Sequence, residues 1–143
     1  MAFLGDPVKR IRGGFLVSAD DHVPGLRGRD EATTLWIGSR ARVSGPIQHG
    51  GGIVLASNVT VNGPVRGGHE VVLGARTTAG PVRAEGRIVV QAGATAGDLD
   101  AVGDVLLLGD CTVGRVRAGG DILVVGSPRT GALQPGGRVR TTR

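Results

Sequence analysis

The chain has 143 residues, a length that suits a single domain. Gly contributes 27 residues, well above the usual share of about 7%, only three residues are aromatic, and the formal net charge is +5. So much glycine is too destabilising for a helical bundle. The sequence also has no apolar run that approaches the ~18 residues needed to span a bilayer as a helix.

Two scarce residue types exclude several kinds of chemistry. Lys9 is the only lysine and is not part of a Gly-Lys-Ser/Thr motif, which excludes a phosphate-binding P-loop. Cys111 is the only cysteine, which excludes an intrachain disulfide and a cysteine metal cluster. We expect a structural protein with no cofactor, no metal and no catalysis. Because the first residues lack the charged and apolar regions of a signal peptide, we also expect a cytoplasmic protein.

Internal repeats organise the chain. Apolar triplets start at positions 35, 53, 71, 88, 105 and 122, and a seventh start is Val139, so the spacing is 18, 18, 17, 17, 17 and 17 residues. A glycine follows each triplet after seven or eight residues, and an aliphatic residue stands two positions past that glycine. The triplets are Leu35-Trp36-Ile37, Ile53-Val54-Leu55, Val71-Val72-Leu73, Ile88-Val89-Val90, Val105-Leu106-Leu107 and Ile122-Leu123-Val124.

This pattern predicts an all-β solenoid. Each repeat contains three short segments with the period of two that is typical of strands, separated by turn-forming residues. One repeat cannot bury its own apolar face, but stacked repeats can. We predict a parallel β-helix of about six to seven coils that rise ~4.8 Å each. The β-helix domain spans 15–143, regular from 35 and irregular over 15–34, and 1–14 form an N-terminal tail.

The two ends of such a solenoid are unpaired strand edges. No helical pattern is available to cap either end, and an uncapped coil is a template for an identical coil. We predict that the protein binds itself and stacks end to end into filaments without a nucleotide; alternatively, the tail or Arg140 and Arg143 cap the ends. The predicted contact residues are Phe15, Leu16, Val17, Leu35 and Ile37 at one end, and Ile122, Val124, Leu133 and Val139 at the other.

The repeated Gly-x-aliphatic blocks resemble those of bactofilins, a family of bacterial polymer-forming cytoskeletal proteins. The resemblance covers the chain from about Leu35 onward. It implies a right-handed β-helix, nonpolar filaments that form through terminal coils without nucleotide, and attachment to the inner face of the cell membrane through an N-terminal segment. The blocks are Val61-Asn-Gly-Pro-Val65, Ala79-Gly-Pro-Val82, Ala96-Gly-Asp-Leu-Asp-Ala101 and Val113-Gly-Arg-Val116.

The N-terminal segment combines an apolar tip with cations. This combination favours contact with an anionic membrane, where each cation contributes about 1 kcal/mol. The alternatives are a solvated tail and a segment that folds over the first coil. The predicted membrane-contacting residues are Met1, Phe3, Leu4, Lys9, Arg10 and Arg12.

An arginine column is predicted on one outer face. Arg66, Arg83 and Arg117 share this column, which Asp100 interrupts. Without interleaved aromatic residues the column does not form a stacking platform for single-stranded nucleic acid. We interpret it as a solvated face and expect no nucleic-acid partner.

The histidines support only an alternative function. His22, His49 and His69 are the candidates for a general base, in a hexapeptide-repeat acyltransferase or a trimeric enzyme like γ-type carbonic anhydrase. Coils of 17 residues break the three equal hexads of those left-handed β-helices, and no spacing suits zinc. We therefore expect surface histidines without a catalytic role.

Two further side chains have predicted positions. Cys111 falls in an inward column, so it is expected to be a buried structural thiol. Trp36 is the middle residue of its triplet and is expected to point outward, packed under the N-terminal segment.

Overall fold

The computed structural model describes residues 8–11, 14–27 and 33–142. Within these ranges the protein is all-β, without a helix, and its parallel strands stack as a solenoid of about seven turns, here called coils. The first ten strands are β1 (Val8–Ile11), β2 (Gly14–Val17), β3 (His22–Val23), β4 (Leu26–Arg27), β5 (Thr34–Ile37), β6 (Arg42–Val43), β7 (Ile47–His49), β8 (Gly52–Leu55), β9 (Thr60–Val61) and β10 (Val65–Gly67). The others are β11 (Val71–Leu73), β12 (Val82–Ala84), β13 (Ile88–Val90), β14 (Leu99–Ala101), β15 (Val105–Leu108), β16 (Val116–Ala118), β17 (Ile122–Val125), β18 (Leu133–Pro135) and β19 (Val139–Thr142).

Three sheets run along the solenoid, and each coil contributes to all of them. Sheet 1 has nine strands in the order β1-β2-β5-β8-β11-β13-β15-β17-β19, and sheet 3 has seven in the order β18-β16-β14-β12-β10-β7-β4. Sheet 2 has the strands β3-β6-β9 and continues as single bridges from Thr60 through Thr78, Thr95 and Thr112 to Arg129.

Sheet 2 is shorter than predicted because the later coils are shorter. The coils that contain β6 and β9 have a residue, Ser44 or Asn62, between the inward side chain and the corner glycine. The 17-residue coils lack that residue, as in Ala79-Gly80, so the segment turns after one bridged position. Loss of one residue thus converts a two-residue strand into a bridge without changing the register of the other sheets.

The predicted register of the triplets is confirmed. Ile53, Val71, Ile88, Val105 and Ile122 pair in sequence along sheet 1. The residues of sheet 3 that follow the corner glycines are also in register, from Ile47 to Leu133. Each apolar column of the sequence is therefore a ladder of like side chains inside the solenoid.

The interior is filled almost entirely by aliphatic side chains. Leu35, Ile53, Leu73 and Ile88 are all 0% exposed, and the core runs without interruption from Val17 to Val124. Full burial of one such side chain contributes roughly 1.5–3 kcal/mol. Most of the stability of the fold therefore comes from stacked aliphatic side chains, which explains how it forms with three aromatic residues.

One corner requires glycine because successive backbones approach closely. A Cβ atom on Gly80 would lie 2.7 Å from the carbonyl oxygen of Gly63 in the preceding coil. The amide of Gly80 donates to that same oxygen at 3.1 Å, and the amide of Gly97 donates to Gly80 at 3.1 Å. The glycine column is thus a line of hydrogen bonds parallel to the axis of the solenoid, with no room for side chains.

Another corner has a left-handed backbone and is not reserved for glycine. Asp20, Arg40, Asn58 and Arg76 have φ values of 57–63°, and the equivalent Gly93 has a φ of 76°. The strain at a non-glycine residue there is about 1–2 kcal/mol. Nε of Arg40 donates to Oδ1 of Asp20 at 2.7 Å, but both side chains are exposed, so solvent screens this ion pair.

The N-terminal segment adds an antiparallel strand to this parallel fold. β1 pairs with β2, with Val8 opposite Val17 and Ile11 opposite Gly14. Part of the predicted tail thus continues sheet 1 beyond the first coil. Of the alternatives considered for the N-terminal segment, the pairing of β1 with β2 corresponds to a segment that folds over the first coil.

The left-handed corner makes a prediction about stability. Gly93→Ala should lower the free energy of unfolding by about 1–2 kcal/mol, because φ is positive and the new Cβ would lie 3.0 Å from Cγ of Arg76. Gly52→Ala is the matched control, since its Cβ would have no neighbour closer than 3.5 Å. Urea unfolding followed by circular dichroism measures both variants, and equal stability of the two would contradict this account of the corner.

Candidate functional site

The C-terminal end of the solenoid exposes apolar side chains. Val139 in the last strand is 40% exposed and Leu133 is half-buried. Ile122 and Val124 are 0% and 8% exposed, because Val139 and Thr141 of the last strand lie next to them in register. Two of the four residues predicted for this end therefore lie at it, and Ile122 and Val124 belong to the core one coil below.

The outer edge of β19 also presents main-chain hydrogen-bonding groups. The amide of Ile122 donates to the carbonyl of Arg138 at 2.9 Å. In a parallel ladder alternate residues face opposite sides, so Val139 and Thr141 turn their N–H and C=O groups away from β17. No strand among residues 8–11, 14–27 and 33–142 pairs with that side of β19.

Sheet 3 has a blunted edge at the same end. The amide of Gly136 donates to Ala118 at 2.7 Å, which leaves the main chain of Pro135 on the outer side of β18. Proline has no N–H group, so this edge lacks a donor where a new strand would pair. The outer edge of β19 in sheet 1 contains no proline and therefore keeps its outward donors.

The N-terminal end is better covered. Val17 is 0% and Val23 is 2% exposed, although both belong to the first coil. Phe15 is half-buried and packs against the core. Two of the other residues predicted for this end, Leu35 and Ile37, are core residues of the second coil and are covered by the first coil. Leu16 is the outward residue between Phe15 and Val17.

The predicted membrane-contacting residues are only partly within the described chain. Lys9 and Arg10 lie in β1, opposite Leu16 and Phe15 in register. Met1, Phe3, Leu4 and Arg12 lie outside the described residues. Within the described part of the chain, no helix is long and apolar enough to cross a membrane.

His49 is buried, and the expectation of a surface position was wrong. Its side chain is 1% exposed, and Nε2 lies 3.0 Å from the carbonyl oxygen of Thr33, to which it can donate. The ring also meets Phe15 edge to face, with centroids 6.2 Å apart. His49 is an inward residue of β7, where the sequence has an aliphatic elsewhere, so it fills the core of the early coils.

The other two histidines are exposed, as predicted. His22 Nε2 is hydrogen-bonded to the hydroxyl of Ser44 in the next coil, and His69 lies at a corner. Of the three candidates for a general base, His49 is buried out of reach of a substrate in solvent. No cluster of His, Cys, Asp or Glu suited to a metal ion occurs within the described ranges.

The arginine column lies in register as predicted. Arg66 pairs with Arg83, Arg83 with Asp100 and Asp100 with Arg117 along sheet 3. Arg83 also lies 4.0 Å from Glu85. Acidic groups within and beside the column reduce its positive potential, which favours a solvated face.

An apolar column on the outside of sheet 1 was missed by the sequence analysis. Trp36 points outward, as predicted, but it is one of seven large apolar residues in register on this face. All seven are half-buried. The sequence did contain a signal for this column. In a strand with one solvated face, apolar and polar residues alternate, but here the middle, outward residue of every triplet is apolar as well. The seven are Leu16, Trp36, Val54, Val72, Val89, Leu106 and Leu123.

Comparisons with protein-family models, with curated proteins and with solved structures found no match for this chain.

Cys111 is a core residue with a testable reactivity. It is 1% exposed, and burial raises the pKa of its thiol. A raised pKa leaves less thiolate at pH 8, and thiolate is the reactive form. The folded protein should react with Ellman's reagent about 100-fold more slowly than the protein in 8 M urea. Equal rates would show that Cys111 is accessible in the folded state.

Proposed function

We propose that this protein is a structural protein that assembles end to end into filaments without a nucleotide. The observation that carries the proposal is the outer edge of β19, with its outward main-chain groups and the exposed side chain of Val139. A second copy that pairs there continues sheet 1 and covers Val139. The resemblance of the repeats to bactofilins supports the same function.

Sheet 1 is suited to carry the contact because it is the longest sheet at both ends. It extends by β1 beyond the first strands of sheets 2 and 3, and by β19 beyond β18. Val139 and Thr141 present four main-chain groups, and each net hydrogen bond contributes about 0.5–1.5 kcal/mol. These hydrogen bonds and the apolar contact of Val139 together are weak enough that assembly should depend on protein concentration. Loss of one of the hydrogen bonds should weaken it.

The proposal also includes attachment of the filament to an anionic membrane through the N-terminal segment. Lys9 and Arg10 lie in β1 at the N-terminal edge of sheet 1. In a filament the copies of this segment repeat along the polymer, and weak individual contacts then add through avidity. The proposal places the filament at the inner face of the cell membrane.

The end contact can be tested by removing one donor from the edge of β19. Thr141→Pro deletes an outward N–H and leaves the bonds to β17 in place, so it should shorten filaments or abolish them. Thr141→Ala keeps the N–H and should assemble like the unmodified protein. Sedimentation and negative-stain microscopy without nucleotide measure both variants. Long filaments of folded Thr141→Pro protein would show that β19 is not the contact.

The membrane contact can be tested without disturbing β1. Deletion of residues 2–12 removes that strand as well as the charges, so the sharper variant is Lys9→Gln, Arg10→Gln and Arg12→Gln combined. Co-sedimentation with phosphatidylglycerol vesicles should fall, by about 1 kcal/mol for each cation removed. Phosphatidylcholine vesicles are the control. Unchanged binding of the triple variant to the anionic vesicles would refute the membrane contact.

A further inference from the structure

We propose that the outer face of sheet 1 is a second self-association surface, through which two copies of the chain pair face to face with antiparallel solenoid axes. This inference rests on the proposed polymerisation, because pairing becomes stable only between filaments. The occupant of the face is a second copy of the same chain. The surface is distinct from the strand edges at the ends.

The centre of the face is a continuous apolar strip. The outward column from Leu16 to Leu123 spans seven coils, or about 29 Å at ~4.8 Å per coil. Leu108 and Val125, outward and half-buried, widen it toward the C-terminal end. Isolated apolar side chains are ordinary on a surface, but a contiguous strip marks an interaction site.

The charges beside the strip exclude an anionic lipid surface as the natural occupant. The outward position before each triplet is Glu70, Arg87, Asp104, Asp121 and Arg138 in successive coils. Nε of Arg87 donates to Oε2 of Glu70 at 2.6 Å. With Arg140, which follows Leu123 in the outward column, these five coils have three acidic residues and three arginines. They carry no positive excess, whereas binding to anionic lipid requires one.

The same charges are self-complementary in one arrangement. When a two-fold axis runs along the strands through the coil of Leu106, Glu70 faces Arg138 of the second copy and Arg87 faces Asp121. Leu106 then faces its own equivalent across the axis. Asp104 also faces its equivalent, and this is the single like-charge pair among the five facing positions. Arg140, which continues the apolar column in β19, faces Val72 at the rim of the overlap.

A parallel arrangement is less favourable. A two-fold axis along the solenoid places the charged column of one copy against the column of Leu108 and Val125 of the other. Burial of unpaired charges against aliphatic side chains is costly. The parallel pair would also place Arg140, which follows Leu123 in the outward column, against Arg140 of the second copy. The antiparallel pair avoids this like-charge contact, and the charge sequence therefore favours it.

The contact area explains why pairing follows polymerisation. The antiparallel overlap covers five coils and four residues per strand, about 24 Å by 13 Å, or roughly 300 Å² per copy. Stable interfaces bury ≈ 800 Å² per partner, so two free copies do not remain paired. Copies held in two filaments bind in a row, and their contacts add.

The first test replaces the central contact. Leu106→Lys places two ammonium groups against each other at the two-fold axis, so filaments should become single, with half the mass per unit length. Thr95→Lys adds the same charge at an exposed outward position of sheet 2 and should leave filaments paired. Scanning transmission electron microscopy measures the mass per length, and circular dichroism confirms that both variants fold.

The second test addresses orientation through charge reversal. Arg138→Glu puts like charges opposite each other in the antiparallel pair and should yield single filaments. Glu70→Arg combined with Arg138→Glu restores opposite charges and should restore the doubled mass per length. Pairing that survives Arg138→Glu, or that the double variant fails to rescue, would overturn the antiparallel arrangement.

The outcomes separate this inference from the proposed function. If the unmodified protein forms no filaments, the proposed function fails, and the pairing surface fails with it. If filaments form but are single, or stay paired in Leu106→Lys, only the pairing surface is overturned. Binding of unmodified filaments to neutral phosphatidylcholine vesicles that Leu106→Lys abolishes would assign the face to lipid, and would also overturn it.

Discussion

The fold depends on main-chain hydrogen bonds that run parallel to the solenoid axis and hold each coil in register with the next. At the corner glycines the amide of Gly97 donates to Gly80, and that of Gly80 to Gly63, with no side chain between the coils. Because this ladder sets the coil spacing, like residues stack on like residues in every column. Aliphatic columns then close the core, and polar or charged columns lie outside.

The same ladder explains why the ends and the sides of the molecule differ in chemistry. At an end the ladder is incomplete, so the surface consists of main-chain donors and acceptors with an apolar rim, as at β19. Such a surface suits a further strand of the same kind. On the sides the main-chain groups of neighbouring strands pair with each other, so association depends on side chains. The apolar column of sheet 1 and the charges beside it are therefore the features of the flanks that bear on binding.

The strand edges at the two ends of the solenoid differ, because one additional strand and one proline modify them. β1 covers sheet 1 at the N-terminal end, and Pro135 removes a donor from sheet 3 at the C-terminal end. Both features are of the kind that natural β-proteins use to restrain edge-to-edge pairing. Within the described chain, sheet 1 keeps one open strand edge at each end, β1 at the N-terminal end and β19 at the C-terminal end.

The sequence by itself determined the coils, the three faces and the register of the core, because a repeat of 17–18 residues with a period of two allows one way of stacking its apolar positions. It also placed Cys111 inside and the arginines in one outward column. It did not place His49, because a single polar residue in an aliphatic column carries no sign of whether Thr33 and Phe15 will surround it. The left-handed corner was only partly visible in the sequence, since Asp20 and Asn58 are residue types that adopt a positive φ but Arg40 and Arg76 at the same position are not. Only the tertiary structure decided the antiparallel pairing of β1 and the direction of the groups at β19, because these depend on which strand lies beside which.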